Sequence, residues 1–145
     1  MIPKPVSVRF YIDEDLLALG KALGELRLDV TYPGDRGKRH NRRMRPPCEV
    51  VTRGDKDLDW IPKVAAEGWV IITRDSQIQA HPSLMAAVRS SGARMAALTG
   101  KDAMDVWAQL RLVLHHWDRI EAVLTETGPV IYSLTRTTFK AVSLE

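Results

Sequence analysis

The sequence predicts a single α/β domain built on a mostly parallel sheet, and three observations support this fold class. Its 145 residues are 45% hydrophobic and 27% charged, the size and composition of one globular domain. Strand-like and helix-like apolar patterns alternate along the chain, as they do in parallel sheets covered by helices. The run from Trp69 to Thr73 is nearly all apolar or β-branched, which is typical of a strand buried on both faces.

The spacing of apolar residues predicts each element in turn. Alternation from Val6 to Ile12 predicts the first strand, leucines at helical spacing predict a helix over residues 16–26, and residues 28–32 form a short second strand. Residues 34–56 lack apolar periodicity and contain glycines and prolines, which predicts a long loop. The remaining predictions are helices over 57–68, 82–90 and 102–126, and strands over 69–73, 95–99, 130–134 and 139–144.

Several function classes find no support in the sequence. No apolar run approaches the ~20 residues that span a bilayer, and the first 15 residues are too charged for a signal peptide, so no membrane partner is expected. Cys48 is the only cysteine, which fits a cytoplasmic protein without an internal disulfide. The motifs of nucleotide-cofactor enzymes and of covalent hydrolases are missing.

Acidic residues fall where the carboxyl ends of the predicted parallel strands would meet. Asp13 and Glu14 follow the first strand, and Asp75 follows the third. Asp57 opens a helix whose N-terminus is expected on the same side. Carboxylates at one edge repel each other unless a cation joins them, and Mg²⁺ prefers such oxygens, so the pattern favours metal-assisted phosphodiester cleavage. The alternative is structural, because Asp13, Asp57 and Asp102 are each well placed to cap a helix.

Three short motifs occur in order within residues 6–100. They are Phe10-Tyr-Ile-Asp-Glu-Asp-Leu16, the segment beginning Asp57-x-x-Trp60 and ending Ala65-Ala-Glu-Gly68, and Trp69-Val-Ile-Ile-Thr-Arg-Asp75. In this order and strand–helix context they resemble PIN-like nucleases, most closely the branch related to VapC toxins. Residues 128–137 are also similar to the tail of that branch.

The resemblance implies a PIN-like three-layer α/β/α sandwich with a mostly parallel central sheet. It also implies an endoribonuclease that depends on Mg²⁺ or Mn²⁺, often the toxin half of a pair with an antitoxin protein. Matched by position, Asp13, Asp57 and Asp75 would be the catalytic, metal-binding acids. Glu14 matches the second acid of the motif and would be an outer-shell partner.

The chain departs from the family pattern at one acidic position. Many members carry a further acid two residues after Thr-Arg-Asp, where this chain has Gln77. Asp59 and Asp102 are the acids that could substitute for it. The departure leaves a second function open, a catalytically inactive PIN-like module that binds nucleic acid or a partner protein.

The predicted loop is strongly basic. Between Gly34 and Lys56 eight basic residues stand against three acids, a net charge of +5. Cations of this density suit the phosphates of RNA, and the candidate RNA-binding residues are Arg36, Lys38, Arg39, Arg42, Arg43 and Arg45. Two alternatives remain: a loop that is merely solvated, or one that docks an acidic antitoxin segment. Trp107 lies beside the apolar stripe of the last helix and is a candidate homodimer contact.

Overall fold

The computed structural model describes residues 2–75 and 78–145, and all of their side chains except those of Ile78 and Asp102. The strands are β1 (Lys4–Pro5), β2 (Phe10–Ile12), β3 (Val30–Thr31), β4 (Lys38–His40), β5 (Arg43–Arg45), β6 (Val70–Arg74), β7 (Arg94–Leu98), β8 (Val130–Leu134) and β9 (Phe139–Ala141). The α-helices are α1 (Leu17–Leu26), α2 (Asp57–Ala66), α3 (Pro82–Ser91), α4 (Val106–His115) and α5 (Trp117–Ala122). None of these helices has the length and apolar character needed to span a membrane.

The central sheet has six strands in the order β3-β2-β6-β7-β8-β9. Every neighbouring pair is parallel except β8 and β9, which pair antiparallel as a hairpin at the end of the sheet. One register row across the sheet contains Phe10, Val70, Arg94 and Val130. The strands β2, β6, β7 and β8 therefore all end at the same side, called here the carboxyl edge; the opposite side is the amino edge.

Helices cover both faces of this sheet because the strand residues alternate between two cores. Phe10, Ile12 and Ile72 pack with residues of α1, α4 and α5. Tyr11 and Ile71 point the other way and pack with residues of α2 and α3. The fold is thus a three-layer α/β/α sandwich, which confirms the predicted fold class.

The predicted long loop is partly wrong, because residues 38–45 form a hairpin. β4 and β5 pair antiparallel across a turn at Asn41, whose φ is 56°, and β1 adds to β5 in parallel. The hairpin is fixed by a buried ion pair in which Arg45 Nε donates to Asp35 Oδ2 at 2.7 Å. Arg45 Nη1 also donates to the carbonyls of Gly24 and Arg27, each at 3.0 Å. Short polar runs escape an apolar-periodicity criterion, and this is why the sequence did not reveal the hairpin.

The predicted helix over 102–126 is also divided in the structure. Asp105 caps α4 by accepting from the amide of Ala108 at 2.8 Å, and α4 ends at His115. His116 is buried, and its Nε2 donates to the carbonyl of Thr135 at 2.7 Å. This bond ties the junction of α4 and α5 to the end of β8. The apolar stripe that the sequence shows is therefore shared by two helices and is interrupted at His116.

The buried pair gives a stability prediction. Asp35→Ala leaves the Arg45 guanidinium buried without its carboxylate, and we expect unfolding free energy to fall by about 3–5 kcal/mol. Lys38→Ala removes a pair with Glu25 at the surface of the same hairpin and should cost less than about 1 kcal/mol. Urea denaturation measures both. Equal losses in the two variants would contradict the assigned role of the buried pair.

Candidate functional site

A cavity of about 460 Å³ opens at the carboxyl edge and is called here the acid cavity. Its acidic lining residues are Asp13, Glu14, Asp15, Asp55, Asp57 and Asp75. Among the residues that the structure describes, Arg74 and His81 alone contribute basic groups to the same lining. The structure therefore brings the three acids of the family motif into one cavity, together with three others.

The register of β2 and β6 positions Asp13. Its amide donates to the carbonyl of Ile72 at 2.9 Å, and its Oδ2 accepts from the hydroxyl of Thr73 at 2.8 Å. The other oxygen, Oδ1, accepts from the amide of Glu14 at 2.6 Å and caps the 3₁₀ turn that follows. Asp13 is thus both a cap and a cavity residue, so the two interpretations of this position are compatible.

Asp57 and Asp75 reach the cavity from α2 and from the end of β6. Lys56, and not Asp57, is the N-cap of α2, and Asp57 Oδ1 accepts from the indole nitrogen of Trp60 at 3.0 Å. Asp75 donates its amide to the carbonyl of Leu98, while its Oδ2 lies 3.4 Å from His81 Nε2. The helix-cap alternative is therefore wrong for Asp57.

The remaining predicted acids have different positions. Glu14 accepts from the amide of Gly54 at 2.9 Å, so it fastens the segment before α2 to the carboxyl edge. Asp59 is exposed and does not line the acid cavity. Gln77 and the side chain of Asp102 lie outside the described residues, and the cap of α4 is Asp105.

Burial and the proximity of other carboxylates raise the pKa values of two acids in the cavity. Burial raises the pKa of Asp13, the charge of Asp57 raises it further, and hydrogen bonds from Thr73 and the Glu14 amide oppose the rise. The solvent-accessible area of Asp15 is that of an exposed residue. It nevertheless borders the acid cavity, where surrounding protein replaces part of the water around its carboxyl group. This desolvation and the charge of Asp13 raise the pKa of Asp15 to about 8. The interaction between the two carboxyl groups raises the pKa of Asp15 and opposes the rise in the pKa of Asp13.

Several of the predicted RNA-binding residues are buried, paired with an acid or located beside a different cavity. Arg45 is buried in its ion pair, so the prediction that it contacts RNA is wrong. Lys38 is engaged with Glu25 at 2.9 Å. Arg43 borders a separate cavity with Arg9, which precedes β2 at the amino edge. Arg36, Arg39 and Arg42 are exposed, and for them RNA contact stays a prediction.

Sequence reasoning gave no site role to several residues that line the acid cavity, among them Asp15, Asp55, Thr73 and His81. Asp15 stands two positions after Asp13, a spacing that gave no helical or strand signal of its own. Thr73 was part of the strand pattern, although its hydroxyl holds Asp13. His81 follows a stretch of sequence without regular periodicity. Its proximity to Asp75 depends on the tertiary fold, which no local pattern predicts.

The carboxylates do not form a ready-made metal site. Among the residues that the structure describes, no three of His, Cys, Asp and Glu are grouped closely enough to hold a metal ion. The chemical character of the donors nevertheless suits a hard cation, because carboxylate oxygens dominate, and burial together with the charges of neighbouring carboxylates raises the pKa of two of these acids.

The raised pKa of Asp15 gives a pH prediction. Between its ordinary value of 3.8 and about 8, the folded chain retains a proton that the unfolded chain has lost. This carboxyl therefore favours folding at low pH, and its contribution disappears as the pH rises through 8. In EDTA, the melting temperature of Asp15→Asn should fall less steeply from pH 5 to 8.5 than that of the wild type. Asp59→Asn, which alters an acid outside the cavity, should keep the wild-type profile; parallel profiles for all three proteins would contradict the assignment.

Comparison with known proteins agrees with this architecture. The family model described as a PIN like domain matches residues 8–100, which include β2, β6, β7 and all six acids of the cavity. No curated protein and no solved structure matches the chain. The match covers well over half of the sequence, and the chain belongs to the family of PIN-like domains.

Proposed function

We propose that this PIN-like domain is a metal-dependent endoribonuclease whose reaction takes place in the acid cavity. The observation that supports it is the gathering of Asp13, Asp57 and Asp75 at the carboxyl edge of a parallel sheet. Ligands of open α/β sheets bind outside the carboxyl ends of the strands. Perturbed carboxyl groups in a cleft are also a recurrent property of catalytic sites.

Mg²⁺ or Mn²⁺ is the proposed cofactor, and Asp13, Asp57 and Asp75 are its proposed ligands. When bound, such an ion supplies Lewis-acid activation of a phosphoryl oxygen and of water. Because no three potential ligands in the described part of the chain are grouped in advance, we expect water molecules to complete the coordination of the ion, as is usual for Mg²⁺.

The protein's own residues would orient the groups that react. Thr73 fixes one oxygen of Asp13, and Trp60 fixes one oxygen of Asp57, so neither carboxylate is free to rotate away. Arg74 and His81 border the same cavity and can donate hydrogen bonds to a phosphate. Such fixed donors and acceptors lower the reorganisation that the reaction requires.

The finer proposal is that the chain is a VapC-type toxin with an antitoxin protein as its partner. It rests on the similarity of the motifs around Asp13 and Asp75 to that branch. The second candidate function is a module with the same acids that only binds nucleic acid or a partner protein. It is favoured because no three potential metal ligands are grouped among the residues described by the structure. The experiment below distinguishes the two.

Cleavage of a mixed RNA pool in Mg²⁺, Mn²⁺ or EDTA tests the proposed activity. We expect cleavage only with metal. Asp13→Ala, Asp57→Asn and Asp75→Asn should each lower the rate about 100-fold or more, because metal-ion stabilisation of developing charge is worth several kcal/mol.

A matched control is available on the same helix turn. Asp59 lies two residues after Asp57 but outside the acid cavity, so Asp59→Asn should cleave at close to the wild-type rate. Failure of a folded, partner-free wild type to cleave any RNA would overturn the nuclease proposal and favour the binding module. Equal losses in Asp57→Asn and Asp59→Asn would show that the effect is not specific to the cavity.

A further inference from the structure

A second groove lies on the part of the chain that follows the family match. Its volume is about 680 Å³, and its basic lining residues are Lys101, Arg111, His115 and Arg136. The rest of its lining is Ala108, Leu112 and Leu114, so no acidic side chain that the structure describes borders it. We call it the edge groove.

The register of the sheet places this groove at the same edge as the acid cavity. Arg74, Leu98 and Leu134 stand in one row across β6, β7 and β8. Lys101 follows β7 by three residues, and Arg136 follows β8 by two, so both emerge at the carboxyl edge. Asp75 emerges there from β6, with its amide bonded to the carbonyl of Leu98.

A contact brings the lining of the acid cavity to the segment that precedes α4. Arg74 borders the acid cavity, and its Nη2 lies 3.6 Å from the sulfur of Met104. Met104 belongs to the short segment between Lys101 and the start of α4, and 68% of its surface is exposed. A chain leaving the acid cavity past Arg74 would therefore meet the segment that carries Lys101.

An exposed aromatic ring stands on the helix that forms one wall. Trp107 is 66% exposed, and Arg111 and Leu114 lie four and seven residues further along α4, on the same helix face. Cations interleaved with an exposed aromatic and an aliphatic side chain are the elements of single-strand binding, in which phosphates are neutralised and bases stack.

We propose that the edge groove binds the backbone of single-stranded RNA that extends from the acid cavity, with Trp107 stacking on one of its bases. This inference rests on the proposed function and adds to it the path of the substrate. Burial of Trp107 in a symmetric dimer is less favoured, because a two-fold interface would oppose the basic groove to a second copy of itself. The groove at the amino edge is a weaker candidate, because Arg9 and Arg27 there already pair with Asp29 and Glu121.

Anisotropy of a labelled 12-nucleotide RNA, measured in EDTA over a salt series, tests the path without requiring cleavage. Lys101→Glu with Arg111→Glu should weaken binding at least 10-fold at low salt and lower the magnitude of the salt slope by about 1.4, the value for two lost phosphate contacts. Trp107→Ala should weaken binding about 5- to 100-fold, the range for loss of one stacked base.

The matched control is Lys21→Glu with Lys140→Glu, which makes the same change of charge at two exposed sites away from both grooves. It should bind RNA much more tightly than the edge-groove variant. Equal weakening in both double variants would overturn the proposal, as would a larger loss from Arg42→Glu with Arg43→Glu on the hairpin.

Two further outcomes would also overturn it. In the first, the edge-groove variant binds RNA as tightly as the wild type does but no longer binds a poly-glutamate peptide. This result would assign the groove to an acidic protein segment. The second is unchanged RNA affinity in Trp107→Ala together with loss of a dimer by sedimentation. Absence of cleavage by the wild type would reject the proposed nuclease activity but not the proposed RNA path, because the binding assay contains no metal.

Discussion

The mutual repulsion of carboxylates in one cavity is the constraint around which the carboxyl edge is organised. Within the described part of the chain, six acids share the lining, and one arginine and one histidine accompany them. The fold enforces this proximity through the parallel register of β2 and β6, because the amide of Asp13 is bonded to the carbonyl of Ile72 and its carboxylate to Thr73. Burial and the charge of Asp13 raise the pKa of Asp15 to about 8, and a proton on this carboxyl would relieve part of the repulsion. A divalent cation would relieve it more completely, which is the physical basis for proposing a metal-dependent reaction here.

The two edges of the sheet have different electrostatic roles. At the amino edge, arginines and acids neutralise each other, as in the contacts of Arg9 and Arg27 with Asp29. Within the hairpin, Arg45 forms a buried ion pair with Asp35, so its charge stabilises the fold. At the carboxyl edge, acids fill one cavity, and the edge groove beside it presents basic groups. A basic segment of sequence is therefore a poor guide to where a polyanion binds, because pairing within the fold decides which cations remain available.

The sequence predicted the sheet well because its signals are local. β6 is a continuous run of buried residues, and the strand alternation before Asp13 reflects the two cores that β2 faces. The motif acids could be assigned to one edge because all parallel strands end there. The contribution of Asp15 could not be predicted, since its pKa depends on the distance to Asp13 and on the surrounding protein. The burial of Arg45 depends on carbonyls of α1 and of the residue after it, which no local pattern specifies.

Calorimetric titration of Mn²⁺ into the wild type at pH 6.5, repeated in two buffers of different ionisation enthalpy, tests the central claim most directly. Binding to the acid cavity should release protons, because the pKa values of Asp13 and Asp15 are raised in the free protein and a bound cation lowers the pKa of nearby carboxyl groups. The account predicts saturable binding with net proton release, both lost in Asp13→Ala and both retained in Asp59→Asn. Absence of binding, or binding that releases no protons and survives in Asp13→Ala, would contradict it.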